Sequence, residues 1–179
     1  MADTLERFAG ATAAIVADVL DRLGFRDRAL DPEIAPLWPG ARIVGYAYPV
    51  AVRAEPATPA SPYEGEMSVL ESLEAGDVPL LVVEHGVRAA SWGELFSCAA
   101  LGRGSRGVVI DGLIRDAEQI EELGFAAFAR GRSPLDTFER AVVASHGDPV
   151  LCGGVEVVRG DLVVADRDGI VVVPAGAAN

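Results

Sequence analysis

Residues 102–116 read GRGSRGVVIDGLIRD, with glycines at 102, 104 and 107 in G-x-G-x-x-G spacing, then an apolar run, then an Arg-Asp pair. A dinucleotide-binding loop sets such glycines after a strand and at the opening of a helix, where free N–H groups and the helix dipole hold a pyrophosphate. Here the order is reversed. The glycines follow the helix-like segment WGELFSCAAL (92–101) and precede Val108-Val109-Ile110. Gly102 and Gly104 are therefore expected to stop a helix, and 108–110 to form a buried strand that leads to Asp111, Arg115 and Asp116.

Outward from this stretch the pattern repeats. MSVLESLEAG reads as a helix, VPLLVVEHG as a buried strand, SWGELFSCAALG as a helix, GVVIDG as a strand, RDAEQIEELG as a helix and FAAFARG as a strand. Such alternation predicts parallel strands covered by helices. Upstream, apolar residues from Leu5 to Leu23 recur every three or four positions, which predicts one amphipathic helix from about Thr4 to Leu23 with Gly24 as its stop. DPEIAPLWPG (31–40) reads as a loop, ARIVGYAYPVAVRA (41–54) as a strand with Pro49 at an edge or bulge, and 54–66 as a long mobile or site-covering loop. Downstream, VLCGGVEVV, DLVVAD and GIVVVP predict antiparallel strands, and Asp166 and Asp168 in ADRDG read as a hairpin turn rather than a metal pair.

At 179 residues the chain reads as one domain, 1–179, with a formal charge of -12 from 27 acidic and 15 basic residues. That balance argues against nucleic-acid binding, which needs clustered basic side chains. No apolar run is long enough to cross a membrane. The amino terminus does not read as a secretory signal, so the cytoplasm is the expected location. Cys98 and Cys152 are far apart and are expected to be buried free thiols.

In parallel α/β sheets ligands collect beyond the carboxyl ends of the strands. One such end presents Glu84, His85, Gly86 and Gly93-Glu94-Leu95, and the next presents Asp111, Arg115 and Asp116. A guanidinium grips a carboxylate through parallel hydrogen bonds, and a carboxylate suits a hard divalent ion. The same pair also fits a plainer role, with Asp116 complementing a helix dipole and Arg115 in a surface ion pair. His85 could act as a base or be structural.

The segments 92–120, LGFAAFARG (123–131) and CGGVEVVRGDLVVADRDGIVVVP (152–174) resemble the RraA-like family, over about Leu5 to Pro174. That family contains 4-hydroxy-4-methyl-2-oxoglutarate / 4-carboxy-4-hydroxy-2-oxoadipate aldolases and regulators of ribonuclease E activity. The most specific motif is an acidic residue, twenty intervening residues, then Arg-Asp, met by Glu94 and Arg115-Asp116. The resemblance implies an α/β sandwich with a swivelling-domain-like β/β/α core, assembled as homotrimers or hexamers. It implies that Arg115 binds a pyruvyl substrate, Asp116 holds Mg²⁺ or Mn²⁺, and Glu94 organises water. Gly93 and the amides of Leu95 and Phe96 would receive the substrate carboxylate. The chemistry implied is cleavage of a 2-oxo acid through a pyruvate enolate, with oxaloacetate decarboxylation as a second activity. The chain contains no lysine, which excludes an imine route and agrees with a metal-dependent one. Two positions depart from the family: the loop after LLVV is EHGVRAAS, and Gln119 stands where an acid is usual, beside Glu118. The alternative within the family is a non-catalytic regulator that binds protein. A demethylmenaquinone methyltransferase label, also used in the family, does not suit a glycine pattern on the wrong side of its strand.

Overall fold

The computed structural model describes residues 2–57 and 61–178. The first apolar stretch is not one helix but two, α1 (Ala2–Phe8) and α2 (Ala13–Arg22). The break has a local cause. Thr12 adopts extended backbone and caps α2, its hydroxyl accepting the Ile15 amide at 3.3 Å, while Asp166 Oδ2 accepts the Ala13 amide at 2.9 Å. An N-cap held from a distant hairpin outweighs the continuous apolar periodicity. Gly24 follows the end of α2, as expected.

After the short β1 (Ala35–Pro36), the chain alternates as the sequence predicts: β2 (Ile43–Ala54), α3 (Glu64–Ser72), β3 (Asp77–Val83), α4 (Glu94–Gly102), β4 (Val108–Ile114), α5 (Ala117–Leu123) and β5 (Ala127–Arg132). β2 to β5 pair in parallel. Gly104, at φ 82°, turns the chain out of α4 toward β4 as expected, whereas Gly102 is the last residue of the helix itself and Arg103 caps it. The last segments are β6 (Ala141–His146), β7 (Val150–Cys152), β8 (Val155–Val157), β9 (Leu162–Asp166) and β10 (Gly169–Val173). β6 and β9 both pair antiparallel with β2, β9 pairs with β10, and β7–β8 form a separate hairpin sheet. The β9–β10 turn carries Asp166 and Asp168 as expected, Asp166 Oδ1 accepting the Asp168 amide at 3.0 Å.

β2 serves two partners along one side, β9 at 43–46 and β6 at 50–54. Pro49 sits in the gap between them. The Ala47 amide and the Pro49 carbonyl both point to that side, bonded to the Asp161 carbonyl and the Gly147 amide. The donor that proline lacks would have pointed into the same gap, so a central strand accommodates it. The bulge itself falls two residues on, at Ala51/Val52.

The layers are β/β/α. One face of the large sheet, with Ile43, Leu80, Val109 and Phe128, packs against the hairpin residues Cys152, Val155 and Val157. The other, with Val50, Leu81, Val108 and Ile110, packs under α3, α4 and α5 through residues such as Val69, Ala100 and Ile120. Leu80, Val108, Val109, Ile110 and Phe128 are fully buried; each such side chain contributes about 1.5–3 kcal/mol. Two expectations change here. Cys152 is buried but Cys98 is exposed on α4. Asp111 shares the face of Val109 by the two-residue period of a strand, so it points away from α5. There it pairs with Arg130 and accepts the Gly153 amide at 2.7 Å, tying the hairpin to the sheet. Among the described residues no helix is long and apolar enough to cross a membrane.

Candidate active site

β4 delivers Arg115 and Asp116 to the start of α5. Asp116 lies at φ 57°, ψ 40°, a left-handed conformation that aspartate and asparagine tolerate better than most residues. The exit from β3 returns beside it. Ala90 bridges Leu113, the Ser91 amide donates to the Leu113 carbonyl at 3.0 Å, and the Arg115 amide donates to the Trp92 carbonyl at 3.1 Å. Gly93 is thereby pressed against the Arg-Asp pair. A β-carbon there would stand 2.6 Å from Asp116 Oδ2 and 3.1 Å from Arg115 Cγ, so any side chain at 93 would displace the Arg-Asp pair from this arrangement.

The first turn of α4 is rigidly held. Trp92 Nε1 donates to Ser97 Oγ at 2.9 Å, which donates to the Gly93 carbonyl at 3.0 Å, and the indole stacks on Phe125. The Glu94 amide donates to Asp116 Oδ2 at 3.1 Å, with Arg115 Nε 3.6 Å from the same oxygen. The amides of Leu95 and Phe96 find no acceptor among the described residues. Free first-turn amides at the positive end of a helix favour an anion.

Gly93, Glu94, Leu95, Phe96, Arg115 and Asp116 line one cavity of about 480 Å³. The structure thus brings together the six residues to which the family resemblance assigns substrate, water or metal, but not the other strand-end candidates Glu84, His85 and Asp111. His85 and Glu84 are exposed outside this cavity, and Glu84 Oε2 accepts the Ala54 amide at 2.7 Å. Glu118 and Gln119 are exposed outside it as well.

Sequence reasoning missed Asp136, Thr137 and Tyr63, which line the same cavity. Asp136 Oδ2 is 2.9 Å from Arg115 Nη1, and its Oδ1 accepts the Tyr63 hydroxyl at 3.0 Å and the Phe138 amide at 2.6 Å. Burial opposes ionisation of Asp136, but the Phe138 amide, the Tyr63 hydroxyl and Arg115 together hold its carboxyl below the usual range. Burial, then the hydrogen bond to Asp136, pushes the Tyr63 phenol up. Tyr63, at φ 63°, ends the loop three residues earlier than the expected bound of 66, because Glu64–Glu66 already belong to α3; through Tyr63 the loop reaches the cavity, and residues 58–60 lie outside the described ones.

Glu66, behind this wall, approaches Thr137 Oγ1 at 3.4 Å, and burial pushes its carboxyl above the ordinary value of 4.5. A carboxyl raised in the folded state costs stability once it ionises; the cost is absent below the unfolded value and grows as pH rises through the folded one. Glu66→Gln is therefore expected to melt higher than the parent protein at about pH 8, with the two curves converging at about pH 4 and below. Equal melting temperatures at both pH values would show that burial of Glu66 has no such cost.

Among the described residues no group of three or more His, Cys, Asp or Glu is disposed to hold a metal. A hard divalent ion does not need one, since Mg²⁺ keeps several waters and takes one or two carboxylates plus substrate oxygens. Asp116, exposed where it lines the cavity and with one oxygen committed to Glu94 and Arg115, fits that water-rich mode of binding.

A family model described as Aldolase/RraA matches residues 13–172. The chain belongs to the RraA-like family. This RraA-like chain is 29% identical over 177 residues to a Halalkalibacterium halodurans protein named "Putative 4-hydroxy-4-methyl-2-oxoglutarate aldolase", covering 97% of the chain and 78% of the relative. It is 26% identical to Protein DlpA of Legionella pneumophila, matching 97% of its own length but only 28% of that longer protein. Streptomyces coelicolor RraAS2, described as an unusual member of the RNase ES inhibitor RraA protein family, superposes with a TM-score of 0.84 at 30% identity, covering 98% of this chain and 86% of that one. The RraA fold of such neighbours agrees with the β/β/α layering found here.

Proposed function

We propose that this RraA-like protein is a divalent-metal-dependent carbon–carbon lyase that cleaves a 2-oxo acid such as 4-hydroxy-4-methyl-2-oxoglutarate, with oxaloacetate decarboxylation as a second activity. One observation carries the reading: Arg115, Asp116 and the free amides of Leu95 and Phe96 converge on one cavity across Gly93. Leu95 and Phe96 N–H groups would hold the substrate carboxylate. Arg115 would hold the 2-oxo end and offset the negative charge that gathers there as the C3–C4 electron pair moves toward the oxo group. Its planar fork has enough donors to bind substrate while contacting Asp136. Glu94, half-exposed beside Asp116, would orient the water that takes the C4 hydroxyl proton as the C3–C4 bond breaks and a C4 carbonyl forms, and that then returns a proton to C3. From oxaloacetate C4 leaves as CO2 and only the C3 protonation is needed. Asp116 would hold Mg²⁺ or Mn²⁺, whose contribution is Lewis-acid polarisation of the 2-oxo group. Trp92, Phe96 and Tyr63 form the walls that limit water.

Assembly as a homotrimer or hexamer belongs to the same proposal. The relation to an RNase ES inhibitor supports a second reading, a protein-binding regulator without turnover. Pyruvate release from 4-hydroxy-4-methyl-2-oxoglutarate and from oxaloacetate, with Mg²⁺ or Mn²⁺ and again with EDTA, separates the two. Release that EDTA abolishes and added metal restores is the expected result. No release from either acid under any metal condition would favour the regulator.

A further inference from the structure

The Arg115–Asp116 pair has a second side. There it forms part of another cavity of about 350 Å³, together with Ile114, Ala117, Ser133 and Arg132. Arg132 ends β5 in register with Ile114. Its Nη2 donates to the Leu37 carbonyl at 3.0 Å, which steadies the side chain without neutralising it. No carboxylate among the described residues lies within ion-pair distance of Arg132, although acids outnumber bases 27 to 15 in the chain. The larger cavity is the reverse. Glu94, Asp116 and Asp136 there surround the single cation Arg115. A second carboxylate placed among them would meet repulsion, whereas one placed toward Arg132 would meet an unpaired guanidinium.

Resting on the aldolase reading, we propose that Arg132 binds the distal carboxylate of a 2-oxo diacid whose 2-oxo acid end is held by Arg115 and the Leu95 and Phe96 amides. The substrate then lies across the Arg115–Asp116 pair, and Arg132 selects 2-oxo diacids over 2-oxo monoacids.

Calorimetric titration of the full chain, with Mg²⁺ present, against 2-oxoglutarate and pyruvate tests this. Arg132→Gln is expected to weaken 2-oxoglutarate binding by about 10- to 100-fold and to change pyruvate binding by less than about twofold. Arg132→Lys, which keeps the charge, is expected to recover most of the loss. Unchanged 2-oxoglutarate binding in Arg132→Gln, an equal loss for both acids, or no binding of 2-oxoglutarate to the unmutated protein would overturn the assignment. Failure of the aldolase reading looks different: Arg132-dependent binding of 2-oxoglutarate would persist while no pyruvate is released from the hydroxylated diacid.

Discussion

Asp116→Asn is expected to lower turnover by about 10³-fold or more while leaving the fold unchanged. Asparagine is the informative replacement because it keeps the shape of the side chain and tolerates the left-handed backbone at φ 57°. Its amide oxygen can still accept the Glu94 N–H, so the first turn of α4 stays anchored. What it removes is the negative charge that a hard divalent ion requires. Alanine would confuse the result, since a β-carbon without a local hydrogen-bonding group costs about 1–2 kcal/mol in this conformation. The measurements are kcat with saturating Mg²⁺, Mn²⁺ binding, and the circular dichroism spectrum. A variant that folds normally and turns over within about tenfold of the unmutated protein would remove Asp116 from any catalytic role.

Arg115→Ala is expected to cost about 10²- to 10³-fold in kcat/KM, the size of effect seen when one donor to a developing oxyanion is lost. Two consequences add here. The substrate loses its cation, and Glu94, Asp116 and Asp136 are left as neighbouring carboxylates with no charge between them. Arg115→Lys separates these contributions. Lysine restores the charge but not the planar two-pronged contact, so it is expected to fall between alanine and the parent protein, with KM recovering more than kcat. Equal kcat/KM for alanine and the parent protein would leave the Asp136 ion pair as a surface contact.

The parallel core was legible because each strand is buried on both faces and each is followed by a helix-period segment. Gly104 marks the turn between α4 and β4, and the reversed order of glycines and strand has the meaning read from it. The break between α1 and α2 was not legible, because the cap at Ala13 depends on Asp166, more than 150 residues away. β6 is not legible in the sequence since AVVASH is short and ends in Ser-His, and only pairing with β2 makes it a strand. Within the site, the rule that ligands gather beyond strand ends points to β3 and β4, whose ends carry recognisable motifs, and holds equally for β5, whose end carries none. Carried one strand further, it leads through Arg132 to Asp136, the two charged residues that sequence reasoning overlooked. Asp111 stands close to Arg115 and Asp116 in sequence, but alternation along β4 sends it to the opposite layer, a direction that proximity in sequence does not show.

The two cysteines divide the molecule chemically. The Cys152 thiol sits under the hairpin, where burial and then the charge of Asp111 push its ionisation well upward, so it stays protonated and inert. Cys98 is exposed one turn beyond Glu94, on the helix whose first amides face the cavity. An environment-sensitive maleimide dye therefore has a single accessible anchor in the native chain, four residues from the start of α4, where the proposed substrate carboxylate would sit. Occupancy of the cavity can then be followed by fluorescence without engineering a reporter.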